Sequence, residues 1–105
     1  MNNYKRFGLH LSIPSFLIAA FIYAFIYKQL IVFDHDAFKG LYHSSSFIDF
    51  LYFSIVTITT TGIGDIHPLS HTARLITVSE AIVGLIIIIG TIIYVAAKNL
   101  RNNNL

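Results

Sequence analysis

The sequence predicts an all-α membrane protein: two spanning helices and, between them, a short helix that enters the membrane and turns back into an irregular loop. Three observations predict this class. Of 105 residues, 55% are hydrophobic and 11% charged, whereas about a quarter of the residues in a soluble domain are charged. Two apolar stretches exceed the ~20 residues that, at ~1.5 Å per residue, cross a bilayer core. Between them lies a third apolar run too short to cross, followed by the hydroxyl- and glycine-rich segment "TITTTGIGDIHP" at 57–68. The chain contains no cysteine, so disulfides, thiolate metal sites and cysteine nucleophiles are excluded.

The outer helix is expected at about 9–33, with an unbroken apolar stretch from Phe16 to Tyr27. Lys28 lies near its end, where a long stem lets the ammonium reach water. The apolar portion is too long for a signal peptide, and no small-residue cleavage pattern follows it. Residues 34–45, "DHDAFKGLYHSS", are polar and turn at Gly40.

A helix is expected at 46–59, where Ser46 and Asp49 form an S-x-x-D capping box ahead of an apolar run. Phe47, Phe50, Leu51, Phe53, Ile55 and Ile58 surround much of its circumference, which favours burial in protein over a helix lying on the surface. Entering from outside, it directs the negative end of its dipole to the membrane centre, where a cation is favoured.

Residues 60–65, "TTGIGD", follow. Unpaired backbone cannot face lipid, so this segment must line a water-filled cavity. Gly62 and Gly64 can adopt the positive backbone angles that turn successive carbonyls one way, and Thr60 adds a hydroxyl acceptor. Such carbonyls can replace the water shell of a monovalent cation. One chain supplies one strip, and a closed cage requires several copies around a symmetry axis.

The inner helix is expected at about 74–98, between Arg74 at the outer interface and Lys98. Glu80 is its only ionisable residue, and intramembrane acids are candidates for function. Lys5 and Arg6 precede the first span and Lys98 and Arg101 follow the second, which puts both termini in the cytoplasm. The connector then faces outside, with Asp34, Asp36, Asp49 and Asp65 against Lys39, an acidic mouth that attracts cations. No nucleophile–base pair or phosphate loop appears, so the sequence implies neither an enzyme, an organic cofactor nor a nucleic-acid partner.

In the order outer helix, polar turret, short helix, "TTGIGD" and inner helix, the chain resembles the two-transmembrane pore module of tetrameric potassium channels. The family filter reads T-V-G-Y-G-D; Thr60, Gly62, Gly64 and Asp65 match it, with Thr61 for valine and Ile63 for tyrosine. The resemblance runs from about Leu9 to Lys98 and implies a homotetramer in the lipid bilayer of the plasma membrane, with potassium as the permeant ion. It implies stacked ion sites from the carbonyls of Thr60, Thr61, Gly62 and Ile63, a filter completed by Gly64, support from Thr59, and Asp65 at the outer mouth. Gly84 falls at the family's inner-helix hinge, and spacing from it places Ile88, Ile92 and Ala96 toward the cavity. Tyr52 and Phe53 stand at the aromatic positions that normally tether the filter tyrosine, so an apolar contact with Ile63 is expected. Val56 replaces a glutamate found behind some filters, removing the usual link to the mouth aspartate.

The alternatives to a potassium-selective pore are a channel that also passes sodium, motivated by Thr61 and Ile63, and a non-conducting membrane adaptor. For Glu80 the expectation is a protonated or hydrogen-bonded carboxyl packed near the short helix and meeting one of its threonines, rather than an ion contact. His67 and His71, four apart but with Pro68 between them and no evident third ligand, suggest a zinc site, a proton-sensitive mouth or, by default, solvated loop residues. Gly90 is read as a packing position. Only "NLRNNNL" follows the inner helix; a full-length chain is then expected to be a minimal pore, and a shortened one to have lost its regulator with the tail.

Overall fold

The computed structural model describes residues 3–103, with residues 3–9 described by backbone alone. Helix α1 (Asn3–Phe33), strand β1 (Phe38–Lys39), helix α2 (Phe47–Ile58), strand β2 (His67–Pro68) and helix α3 (His71–Asn103) follow in order. Both long helices contain segments apolar enough to span a membrane, His10–Phe33 and His71–Asn103. Both also run beyond the expected limits, because polar residues flanking a span continue a helix that has already been nucleated. The side chains of Lys5 and Arg6, part of the orientation reading, lie outside the described residues.

One stripe of α1, Ala20, Ala24, Tyr27 and Ile31, is buried. Its spacing keeps these residues on one helical face. Small residues at two of the four positions let α2 approach. Tyr27, Phe38 and Phe53 form a triangle of edge-on ring contacts with centroids 5.2 to 5.4 Å apart. Aromatic quadrupoles favour this arrangement. The other face of α1, including Leu17, Ile18, Phe21, Ile22 and Phe25, is apolar and exposed, as a lipid-facing surface must be.

Helix α2 is too short to span, and it buries Phe50, Phe53, Ser54 and Ile58 while leaving Ile48, Tyr52 and Ile55 outside. Burial is therefore one-sided within a single chain. The expected capping box is corrected: Ser46 is the N-cap but its side chain makes no cap hydrogen bond. The Asp49 amide is instead satisfied by the Ser46 carbonyl at 3.0 Å.

The polar connector is strapped rather than free. Strands β1 and β2 pair antiparallel, Phe38 opposite Pro68 and Lys39 opposite His67. The Leu69 amide adds a 2.7 Å bond to the Ala37 carbonyl. Gly40, at φ +90°, passes so close to the end of the 60–65 segment that a Cβ would stand 3.0 Å from the Asp65 carbonyl. A pair of two-residue strands leaves too little alternation to be legible in sequence.

Candidate functional site

Helix α2 ends at Ile58 with Thr59 as its C-cap, and the chain then enters a strip of alternating handedness. Thr60 (φ +59°), Gly62 (φ +60°) and Gly64 (φ +90°) have positive φ, while Thr61 and Ile63 do not. Alternation of this kind directs successive peptide carbonyls toward one side. The amides go the other way: those of Thr61 and Gly62 both donate to the Val56 carbonyl, at 3.0 and 3.4 Å. Val56 therefore anchors the strip through its backbone, a contribution that its apolar side chain does not advertise.

The hydroxyls order the base of the strip. Thr59 Oγ1 donates to the Ile55 carbonyl at 2.7 Å and lies 2.9 Å from Thr61 Oγ1. A hydroxyl has one proton, so Thr61 is the donor to Thr59. Thr60 Oγ1 donates to the Thr59 carbonyl at 2.7 Å, which leaves its lone pairs available to a cation.

At the outer end, the Tyr52 hydroxyl donates to Asp65 Oδ2 at 3.0 Å, and Asp65 Oδ1 accepts from the Ile66 amide at 3.0 Å. Val56 has no carboxyl to offer Asp65, and the link to the short helix is made by Tyr52 instead. This hydrogen bond raises the Tyr52 phenol above its ordinary range, because the neighbouring carboxylate favours the protonated form. Of the aromatic pair expected to meet Ile63, Tyr52 is turned to Asp65 and Phe53 to the core of the subunit. Phe53 is buried among Tyr27 and Phe38, and Ile63 is 58% exposed. Behind the strip lies an open groove of about 280 Å³, lined by Val56, Thr57, Gly62, Gly64, Thr77 and Ala81 among others. His67 Nδ1 lies 3.2 Å from the Gly64 carbonyl, whereas His71 begins α3.

Helix α3 holds α2 at two points one turn apart. Glu80, fully buried, takes the Tyr27 hydroxyl of α1 at 2.8 Å on Oε1 and meets Ser54 Oγ of α2 at 2.5 Å on Oε2. The expected threonine partner is corrected to Ser54 and Tyr27. Four residues on, Gly84 packs against the Ile58 carbonyl, so this glycine is required for close approach. Farther along α3, Ile88 is half-buried while Ile92 and Ala96 are exposed on the subunit surface. Sequence reasoning missed Ser54 and Tyr27. The available signal was a lone serine on the apolar short helix, one phase-matched partner for the lone acid of the inner helix.

The ion channel family model matches residues 15–101. The chain is 34% identical over 76 residues to "Two pore potassium channel c" of Oryza sativa subsp. japonica, covering 68% of this chain and 17% of that protein. It is 39% identical over 74 residues to "Voltage-gated potassium channel Kch" of Escherichia coli K12, covering 64% of this chain and 18% of that protein. With "Two-pore potassium channel 4" of Arabidopsis thaliana it shares 38% identity over 66 residues, covering 59% of this chain and 23% of that protein. The chain spans less than a quarter of the length of each of these relatives. No solved structure matches significantly.

Proposed function

The chain belongs to the ion channel family, among its two-transmembrane potassium-channel pore modules, and from that membership we propose that four copies surround one axis and conduct potassium passively across the membrane. The observation that carries this reading is the alternation of φ from Thr60 to Gly64, with the Thr61 and Gly62 amides tied back to Val56. The opposite side of the strip is then free to present the carbonyls of Thr60, Thr61, Gly62 and Ile63, with the Thr60 hydroxyl below them. Rings of such oxygens replace the hydration shell of potassium, which is cargo here. The C-terminus of α2 adds its negative dipole end beneath the strip.

Four subunits complete the cage, and the exposed face of α2 with the exposed Ile63 side chain supplies surface for the neighbours. Ile88, Ile92 and Ala96 line the inner cavity, where an apolar constriction can gate by dewetting. Both termini lie on the cytoplasmic side of the plasma membrane, and the aspartates of the connector concentrate cations at the outer mouth.

A second reading, a channel that passes sodium as well, is favoured by one observation: the Ile63 side chain is largely exposed within its subunit, beside an open groove behind the strip. Purified protein in liposomes, with potassium on one side and sodium on the other, tests both. A reversal potential near the potassium equilibrium value supports selectivity, and one near zero assigns the non-selective reading. Absence of flux in either ion assigns a non-conducting adaptor.

A further inference from the structure

Ser54 Oγ lies 2.7 Å from the Ala20 carbonyl of α1 and 2.5 Å from Glu80 Oε2 of α3. Both separations are hydrogen-bond distances, so two protons are needed among three oxygens. A carbonyl carries none and a serine hydroxyl carries one. The second proton must come from Glu80. Its other oxygen, Oε1, accepts from Tyr27 at 2.8 Å, as the carbonyl oxygen of a neutral carboxyl would. An ionised Glu80 would leave Ser54 and Ala20 oxygens in contact without a proton, in a part of the fold where Ser54 and Glu80 are both fully buried. Neither of its side-chain partners is a cation, and an uncompensated buried carboxylate is strongly disfavoured.

We propose that Glu80 is a neutral carboxylic acid whose proton, donated to Ser54, fixes the short helix α2 between the outer and inner helices, making Glu80 a positioning residue for the filter. The chain of donors runs in one direction, Tyr27 to Glu80, Glu80 to Ser54, and Ser54 to the Ala20 carbonyl. Three helices are thereby joined through one hydroxyl. Ser54 is one turn before Ile58, and Glu80 one turn before Gly84, so the polar contact and the close backbone contact set the same register between α2 and α3. Beyond Ile58 the chain passes directly into Thr59 and the filter strip. A shift of α2 along α3 therefore displaces the Val56 carbonyl that anchors the strip.

The consequence for ion selection rests on the channel reading, whereas the protonation state does not, and the two arms of the test separate them. Glu80 is the only glutamate in the sequence, so glutamate labelled with ¹³C at its δ-carboxyl marks one side-chain carboxyl in the reconstituted protein. Its resonance is expected at the carboxylic-acid position at neutral pH; a carboxylate resonance overturns the proposal whether or not the protein conducts. In liposomes, Glu80→Gln is expected to keep the wild-type permeability ratio, since an amide N–H can donate to Ser54 and its oxygen can accept from Tyr27. Glu80→Ala and Ser54→Ala are expected to lower the potassium-over-sodium ratio by about fivefold, the factor that one lost buried hydrogen bond carries. The double variant should be no worse than the poorer single one, because both remove the same bond. Should Glu80→Ala not assemble, Glu80→Gln and Ser54→Ala still decide. A Gln variant with the Ser54→Ala defect, or a Ser54→Ala variant with wild-type selectivity, overturns the positioning role.

Discussion

Gly84 of α3 stands against the main-chain oxygen of Ile58, the last residue of α2, so closely that a Cβ would lie 2.0 Å from it. The obstruction is backbone, which no rotamer change can relieve. Gly84→Ala gains about 1 kcal/mol of helix propensity, but forced overpacking costs about 1–3 kcal/mol and sometimes more. With the contact so short, the steric term wins. The variant is expected to be destabilised and to separate α3 from the end of α2, read as a lower melting temperature in detergent. A variant at least as stable as wild type would show that Gly84 serves bending alone.

The glycines of the strip have a different requirement. At Gly62 and Gly64 nothing within the subunit lies within 4 Å of an added Cβ, yet φ is +60° and +90°. Gly64→Ala therefore meets no clash inside its own chain and costs about 1–2 kcal/mol of backbone strain. The expected result is an assembled protein with strongly reduced potassium flux, measured in liposomes beside the Gly62→Ala variant.

The Tyr52–Asp65 hydrogen bond ties the mouth to the short helix. Tyr52→Phe removes only the hydroxyl, and the expected result is a larger sodium permeability with the ion-free fold little changed. The pH dependence follows from the raised phenol pKa, whose first cause is the bond to Asp65. A group raised in the folded state contributes fully below its ordinary value, 10.0 for this phenol, and loses that contribution as pH rises through the higher folded value. Wild-type selectivity should thus hold through pH 10 and fall beyond it. Tyr52→Phe should show no such alkaline transition.

The helices were legible because length, apolarity and basic flanks suffice to define a span, and the strip was legible because paired glycines after threonines have few other uses in an apolar chain. The support of that strip was not. Val56 acts through a carbonyl that every residue possesses, and Tyr52 reaches an aspartate 13 positions away. Glu80 was visible as an anomaly, but its partners Ser54 and Tyr27 lie 26 and 53 positions distant. Sequence periodicity reports which face of a helix is buried; it carries no information on which helix supplies the hydrogen bond.

Potassium should stabilise the assembled protein. A strip whose carbonyls converge on an axis places like dipole ends together, and a cation between them offsets that repulsion. A ligand bound only by the assembled state raises stability by RT ln(1 + [L]/Kd), about 2.7 kcal/mol at a hundredfold excess over Kd. The melting temperature of the assembled protein should therefore rise with potassium at constant ionic strength, with sodium as the balancing salt. Equal protection by sodium would agree with the non-selective reading, and melting indifferent to both ions would remove the filter as an ion site. The Gly64→Ala variant is the control: if its melting temperature still tracks potassium, the stabilising ion binds elsewhere than the strip at Thr60 to Gly64.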